Sequence, residues 1–411
     1  MQMSCPVDIQ SVGPMQTRVI DRIILVLLGY MLASLPFAVV DFLLPLVFFN
    51  RLVLVLVGVL CAFSALGKRG FNLTLNGTFI VLAIILVHSF FSIMLDNTFD
   101  YVKELITLMS LVAVVLWSKD VRVEGLARFA IGIAVFYSLD AIFQNYTGTD
   151  WFGFTPWGNR SWGAFNFGAP TLGVFLAMVI FLPFFFIKNT LIKWLFFLLI
   201  ALGMVVANDR APMVQVVLAA LLFSKLRLKY KLLTIGCVLA PIFFVPALPP
   251  ATSNRIIALY WGLHLFLFGQ ETSELKGFYY SSGIEAYGQI WGSILTGWFQ
   301  WDNIFNVIFG TGWGSSFHLA ERFSGLGRPH SIHLELLVSW GILGYAAVIA
   351  KIFHLFLRYR ACFIILASAV LPFTFFSLVS FNPFFLMVLN YMFFVSAVGS
   401  TSSFKPQDIN T

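Results

Sequence analysis

Two histidines, an arginine and a carboxylate stand close together at the start of an apolar run, in the stretch RPHSIHLELLVSWGILGY that spans residues 328–345. Arg328 can hold phosphate oxygens through two parallel hydrogen bonds, and His330 can act as an acid or a base near neutral pH. Pro329 suits the first turn of a helix, whose free N–H groups favour an anion. The pattern indicates a diphosphate-binding site. The alternative is that Arg328 and His330 only mark a membrane interface, as basic residues at span ends often do.

His333 and Glu335 follow in the same stretch and are candidate substrate-binding residues. His330 and His333 are three positions apart and could share a helix face, but two ligands without a third do not make a metal site, and we expect no metal. Glu335 is a carboxylate just inside an apolar run, where such groups line a wet cavity or pair with a cation. A structural pair with Arg328 or His333 is the alternative to a role in catalysis.

Two further arginines stand beside residues that suit the same chemistry. Arg210, in VVANDRAPMVQVVL, lies between two apolar runs that almost no loop separates, and we take it as a candidate catalytic residue together with Arg328 and His330. A local pair with Asp209 is the alternative. The segment WGNRSWG gives three further candidates for substrate binding, Trp157, Arg160 and Trp162. The two tryptophan rings suit the faces of sugar rings. They also suit the aromatic belt of any membrane protein, which is the alternative.

These residues belong to a chain whose composition suits a lipid bilayer. Its 411 residues are 60% hydrophobic and 10% charged, which is more apolar than a soluble domain needs. Continuous apolar runs of roughly 18–20 residues, enough to cross a bilayer core of about 30 Å, predict an all-α polytopic membrane protein and exclude a closed barrel. We predict twelve membrane spans, at 23–43, 52–67, 77–95, 104–118, 126–144, 170–187, 194–208, 211–224, 232–249, 332–350, 361–380 and 384–399.

Lysines and arginines predict the orientation of these spans. They concentrate in alternate connections, such as KLRLKYK at 225–231, which the positive-inside rule assigns to the cytoplasm. Both termini are then cytoplasmic, and residues 1–411 form one integral membrane domain. The net charge of +7 has the same origin and implies no nucleic-acid partner.

Two long connections are predicted on the extracytoplasmic side. The shorter, 144–170, is rich in aromatic residues and follows Asp140, for which we expect a packing and hydrogen-bonding role. The larger, 250–330, joins spans nine and ten and contains two amphipathic helices. Arg255 opens the first of them and is a further candidate for substrate binding. The second follows from apolar residues at helical spacing over 284–298.

Several motifs in a consistent order resemble the O-antigen polymerase and O-antigen ligase superfamily of bacterial inner-membrane glycosyltransferases. His330-Ser331, followed by GILG at 341–344, matches the histidine motif of that family, and FGTGWG at 309–314 resembles its glycine-rich turn. NDRAPMVQVVLAALLF resembles the family's arginine-led helix, with Arg210 in the arginine position. The likeness spans most of the chain.

The shorter predicted loop also resembles the family. IFQNYTGTDWFGF followed by NRSWGAFN is similar to the loop common in polymerase members, with Arg160 in the arginine position. One feature departs from the pattern: SSGIEAYGQIW has no arginine at the start of the amphipathic helix before the glycine-rich turn. Arg255 opens an earlier helix and is the candidate to replace it.

The resemblance implies a GT-C type fold and an inverting glycosyltransferase that uses no metal and no cofactor. Its donor would be a glycan on undecaprenyl diphosphate, bound at the periplasmic face of the inner membrane. His330 would activate or orient the acceptor hydroxyl, or assist the phosphate. Because a diphosphate already leaves readily, arginine side chains can replace a divalent cation in stabilising it. The arginines that would do so are Arg210 and Arg328, with Arg160 and Arg255.

Polymerase and ligase differ in the acceptor. A polymerase transfers the growing glycan to another lipid-linked repeat unit and can work with a chain-length regulator, whereas a ligase transfers it to lipid A–core. The TGTDWFG segment favours the polymerase. A multispan transporter or lipid flippase is a third hypothesis. Such proteins, however, place their charged groups near the bilayer midplane on broken helices, whereas this chain gathers them at the outer ends of its spans.

Overall fold

The computed structural model describes residues 14–34, 44–69, 99–118, 121, 123–156, 161, 163, 169–207, 210–223, 291–292, 294–299, 304–311, 331–359, 362–370 and 381–402. All regular secondary structure in these residues is helical, as the continuous apolar runs predict. The predicted spans 77–95 and 232–249 lie outside the described residues, as does most of the large loop.

The helices, in chain order, are α1 (Pro14–Ser34), α2 (Leu44–Arg69), α3 (Phe99–Ser118), α4 (Glu124–Thr147), α5 (Ala169–Val179), α6 (Leu182–Phe186), α7 (Thr190–Ala207), α8 (Arg210–Phe223), α9 (Ile304–Phe309), α10 (Ile332–Arg358), α11 (Phe363–Val370) and α12 (Phe381–Ser402). Within this part of the chain, three helical segments are long and apolar enough to cross a membrane: Glu124–Thr147, Thr190–Ala207 and His333–Arg358.

Two predicted spans differ from the helices that form there. The first was expected at 23–43, but α1 already begins at Pro14; residues 35–43 lie outside the described residues. The predicted span 170–187 is divided into α5 and α6 by a turn at residues 180–181. Pro183 stands at the start of α6, where its missing N–H costs nothing, whereas in a continuous helix it would remove a hydrogen bond.

The helices fall into two compact units. The first consists of Met1–Leu75, Lys103–Met213 and Phe384–Thr411. Its centre is α4, which packs against α1, α5, α6 and α7. The approach to α7 is close, because Gly203 faces Ser138 and a Cβ there would lie 2.8 Å from the Ser138 Cα. Small residues at a helix contact allow this approach and are typical of helix packing in membranes.

One carboxylate joins three helices of this unit. Asp21 of α1 accepts a hydrogen bond from the Ser64 hydroxyl of α2 at 2.7 Å and another from the Trp117 indole N–H of α3 at 2.8 Å. Hydrogen bonds to an ionised group stabilise a fold by about 1.5–3 kcal/mol each. Asp21 therefore fixes the ends of α1, α2 and α3 that carry these residues side by side.

The break between α5 and α6 also has a polar partner. Asn390 of α12 is fully buried and donates from its Nδ2 to the Met178 carbonyl at 3.4 Å. Backbone carbonyls at the end of a helix lack partners within it, and in apolar surroundings each must find a donor elsewhere. The buried amide of α12 supplies one donor where α5 ends.

The second unit consists of Asn76–Val102 and Val214–Pro383. Its described core joins a helical segment at 291–298 with α9 and α10, through the buried side chains of Ile294, Trp298, Val307 and Val338. Half-buried Trp291 and Leu337 pack against this core. The helical spacing of Trp291, Ile294 and Trp298 therefore does mark one apolar helix face, as the sequence predicts.

Candidate functional site

Most of the candidate residues lie outside the part of the chain that the structure describes. These are Arg160, Arg255, Arg328, His330, Trp157 and Trp162, and their roles stay predictions. Arg210 is the first residue of α8, as the arginine-led motif predicts, but its side chain is not described. His333 and Glu335 are both described, and both lie in the first turn of α10.

The histidine motif is followed at once by the start of a helix. Ser331 is the N-cap of α10, with an extended backbone at φ −152° and ψ 118°, and its hydroxyl accepts a hydrogen bond from the Leu334 N–H at 3.5 Å. The predicted span start at 332 is confirmed. Pro329, which was expected in the first helical turn, lies outside the described residues.

α10 is interrupted at the glycine that opens the GILG segment. Gly341 has φ 67° and ψ −178°, a backbone conformation that only glycine adopts readily. The residues at 332–340 and 342–358 are thus two helices joined at a kink. The span predicted at 332–350 therefore contains a kink, and the helical segment continues to Arg358. The part after Gly341 would be about 25 Å long at 1.5 Å per residue.

The glycine-rich turn after α9 packs into this kink. Thr311 donates two hydrogen bonds to the carbonyl of Val338, one from its backbone N–H at 2.9 Å and one from its hydroxyl at 3.0 Å. The carbonyls that end a helix need such outside donors. A Cβ at Gly310, whose φ is 92°, would collide with the Ser339 carbonyl, and a Cβ at Gly341 with the Ile308 carbonyl. The two segments meet backbone to backbone, and only glycine fits at either contact.

A hydrogen bond bridges the two halves of α10. The hydroxyl of Tyr345 lies 3.2 Å from Nδ1 of His333, and the two rings meet edge to face with centroids 6.0 Å apart. In a straight helix these residues would be separated by about 18 Å along the axis, beyond the reach of both side chains. The kink therefore turns the two halves toward each other, and His333 is half-buried against Tyr345.

Glu335 is buried near the beginning of α10, with 2% of its surface exposed. The positive end of the helix dipole favours a carboxylate in this position. Burial of a charge is costly unless donors or a cation surround it, so a carboxylate placed here needs polar or charged partners. Pairing with Arg328 stays a prediction, because that arginine lies outside the described residues.

A second polar cluster lies in the first unit, where α4 ends and the aromatic segment begins. Asp140 accepts a hydrogen bond from the Trp151 N–H at 2.9 Å, which confirms its expected hydrogen-bonding role. Asp150 accepts from the N–H groups of Phe152 at 2.9 Å and Phe154 at 2.7 Å. Gln144 is fully buried and bonds this segment as well. The sequence pattern did not single out Gln144 or Asp150, although a buried polar side chain in a helix just before a loop is a usual anchor.

Asp150 is an uncommon carboxylate, because its Oδ2 atom is buried and has no hydrogen-bond partner among the described residues. Burial raises the pKa of the Asp150 carboxyl above its usual range, and the nearby charge of Asp140 acts in the same direction. The N–H groups of Phe154 and Phe152 act in the opposite direction. The neutral acid is therefore favoured here more than at an exposed aspartate.

Aromatic side chains cover the outside of the same helix end. Trp151 is 45% exposed and packs on Phe136 and Phe143, with ring centroids 5.0 Å and 6.1 Å apart. Such rings are typical both of the membrane interface and of surfaces that bind sugar faces.

No protein-family model matches the chain, and no curated protein shows significant similarity to it.

Proposed function

We propose that the chain is a bacterial inner-membrane glycosyltransferase that polymerises a glycan carried on undecaprenyl diphosphate. The observation that carries the proposal is the packing of Gly310 and Thr311 into the break at Gly341, in the helix that begins at Ile332, directly after the His330-Ser331 pair. Two motifs of the superfamily that the sequence resembles meet there, at positions where only glycine fits. Backbone conformations of this kind persist when surrounding structure holds them, and they concentrate at functional sites.

In this proposal the acceptor hydroxyl attacks the anomeric carbon of the donor glycan. A new glycosidic C–O bond forms as the bond to the diphosphate breaks on the opposite face, so the anomeric centre is inverted. His330 takes the hydroxyl proton or orients that hydroxyl, and Arg328 stabilises the departing diphosphate. Arg210, Arg160 and Arg255 are further candidates to bind the diphosphate. This step requires neither a metal nor a cofactor.

Contacts in the first unit support the membrane orientation assumed here. Asp21 brings together Ser64 and Trp117, and all three lie next to basic residues that the positive-inside rule assigns to the cytoplasm. At the start of α4, Arg128 donates to the Phe186 carbonyl at 3.1 Å, just before the basic connection at 188–193. Twelve spans with both termini in the cytoplasm, an active site facing the periplasm and a GT-C type fold belong to the same proposal.

Two other functions remain as alternatives. A ligase would use the same chemistry with lipid A–core as acceptor. A transporter or flippase gains one supporting observation, because α10 is a broken helix and such helices form the binding sites of many transporters. Its break, however, is packed against the backbone of Ile308 and Gly310, and the Val338 carbonyl before it accepts two hydrogen bonds from Thr311.

The test compares lipopolysaccharide and lipid-linked glycans, on one gel, from a strain that lacks the gene. Lipid A–core capped with a single repeat unit, with no long chains in either pool, would support the polymerase. Long chains left on the carrier with bare core would indicate a ligase. Single repeat units left on the carrier with bare core would indicate a flippase, and unchanged glycans in both pools would refute all three.

A further inference from the structure

An exposed groove runs along one face of α4 in the first unit. The exposed residues of this face recur at helical spacing, and Gly132 leaves a gap among them, because nothing lies within 4 Å of a Cβ built there. Below, the α4 groove means Arg128, Gly132, Phe136 and Leu139.

Neighbouring helices flank the α4 groove at its two edges. On one edge, a Cβ built at Gly29 of α1 would lie 3.6 Å from the Phe129 ring. On the other edge, Arg128 donates from its Nε to the Phe186 carbonyl, the last residue of α6, at 3.1 Å. Phe129 and Arg128 point about 100° apart around the helix, so the face between α1 and α6 stays open.

The end of the groove that begins with Arg128 is positively charged. Lys188 follows Phe186 by two residues, so its Cα lies within about 7 Å of the carbonyl that binds Arg128. Lys193 lies in the first turn of α7, and the chain from Phe186 to the end of α7 contains no acidic residue. Among the described residues, the one carboxylate in an ion pair here is Glu124, 3.6 Å from Arg128. One carboxylate against three cations leaves a net positive charge.

The rest of the groove is apolar and has the length of one membrane leaflet. Phe136 and Leu139 are 43% and 39% exposed. From Arg128 to Leu139 the helix rises about 16 Å, and half of a bilayer core is about 15 Å thick. A cationic end followed by an apolar face of this length matches a lipid with a negatively charged headgroup.

We propose that the α4 groove binds one anionic glycerophospholipid. Its phosphate contacts Arg128 and Lys188, and one of its acyl chains lies over Gly132. Arginine is suited to this contact because its guanidinium binds phosphate oxygens in a fixed geometry. The proposal goes beyond glycan transfer and does not depend on it.

The headgroup contact is tested by native mass spectrometry of the purified, detergent-solubilised chain. The probes are phosphatidylglycerol and phosphatidylcholine with identical acyl chains. Wild type should bind phosphatidylglycerol several-fold more tightly, and Lys188→Gln should weaken this binding roughly fivefold, as expected for one basic residue at an anionic lipid. Lys188 is exposed and makes no ion pair among the described residues, so its replacement should leave the melting temperature unchanged. Equal binding of the two lipids by wild type would overturn the proposal.

Lys351→Gln is the matched control, because it removes another exposed lysine, from α10 of the second unit. Its affinity for phosphatidylglycerol should stay within about twofold of wild type, since a distant exposed charge is screened by solvent and salt. If Lys351→Gln weakens binding as much as Lys188→Gln, the lipid responds to the overall charge of the protein and the proposed site fails.

The acyl-chain contact is tested at Gly132. Gly132→Leu fills the gap and favours the helix, so the protein should fold at least as well as wild type. Its affinity for phosphatidylglycerol should nevertheless fall to that for phosphatidylcholine. Gly132→Ala adds one methyl group and should retain most of the wild-type affinity. Unchanged phosphatidylglycerol binding by the leucine variant would contradict an acyl chain over Gly132.

Two other occupants of the groove are distinguished in the same experiment. Inorganic phosphate should not displace the bound lipid, and displacement would indicate a site for simple anions. A dimer of wild type that becomes monomeric in Gly132→Leu would assign the groove to a second copy of the chain. Either result would refute the phospholipid site.

Discussion

The carbonyl of Val338 accepts two hydrogen bonds from Thr311, one from the backbone N–H and one from the side-chain hydroxyl. This pair ties the turn after α9 to the end of the first half of α10. Since the helix stops at Gly341, the carbonyl would otherwise be left without a donor. The contact makes the glycine-rich turn and the histidine motif parts of one structure, and the predictions for the second unit follow from it.

Replacement of Gly341 by alanine should disable this structure. Alanine is strained at φ 67° and its Cβ would meet the Ile308 carbonyl, so we expect destabilisation by about 1–3 kcal/mol or more and loss of glycan transfer. Gly132→Ala is the control, because that glycine lies in α4 with open space around its Cβ position. It should be neutral or stabilise by up to about 1 kcal/mol. Thermal unfolding in detergent measures both; equal melting temperatures would show that the kink tolerates a side chain.

Substitutions at Thr311 should separate the hydroxyl bond from packing. Thr311→Val keeps the shape and the backbone N–H but loses the hydroxyl donor, so stability should fall by about 1 kcal/mol. Thr311→Ser retains the hydroxyl and should recover most of that loss. A valine variant as stable as wild type would show that the hydroxyl bond contributes nothing, and a serine variant as unstable as the valine variant would show that the methyl group contributes as much as the hydroxyl.

His333 and Tyr345 should behave as a coupled pair. Tyr345→Phe and His333→Phe each remove the bond across the kink, so the two changes combined should cost less than their sum, with a coupling of about 1 kcal/mol. The measurement is a double-mutant cycle on unfolding free energy. The same cycle on transfer rate tests whether His333 also binds substrate, since a substrate contact would make His333→Phe the more damaging single change. If the effects of the two single changes simply add in both cycles, the hydrogen bond between His333 and Tyr345 contributes neither to stability nor to transfer.

The Asp150 carboxyl should make stability fall as the pH rises. Burial raises its pKa in the folded state, so the folded protein binds the proton more tightly than the unfolded chain, whose aspartate pKa is about 3.9. Stability contributed by the neutral acid is fully present below that value and is lost as the pH rises through the raised pKa. Asp150→Asn imitates the neutral acid and should flatten this part of the profile. Melting temperatures of the two proteins between about pH 4 and about pH 8 provide the test. Parallel pH profiles for the wild-type and Asp150→Asn proteins would refute a stabilising role of the neutral Asp150 carboxyl.

The sequence predicts the helical fold and several local details for physical reasons that can be named. Continuous apolar runs identify helices such as α4 and α7, and the Trp291, Ile294 and Trp298 spacing identifies a buried face. Hydropathy alone did not detect the break at Gly341, because the apolar run continues across it. A positive-φ glycine becomes recognisable only when its tertiary partner, here the turn at 308–311, is known.

Two of the three polar side chains at the end of α4, Gln144 and Asp150, were not predicted for a related reason. Asp140 was expected to make hydrogen bonds because a carboxylate inside an apolar run needs partners. Gln144 and Asp150 lie at the edge of the same run, where polar residues are ordinary and carry no distinguishing signal. Their importance arises from a fold-back of the chain that brings Phe154 and Gly163 to one amide, and sequence spacing does not encode that contact.

The most direct test of the central claim is complementation of a strain lacking this gene with the His330→Ala variant, at protein levels matched to wild type. Lipopolysaccharide and lipid-linked glycans are compared on one gel. We expect the variant protein to reach the membrane but to leave lipid A–core with a single repeat unit and no long chains. Near-normal long chains would contradict a role for His330 in glycan transfer, and with it the mechanism proposed for this protein.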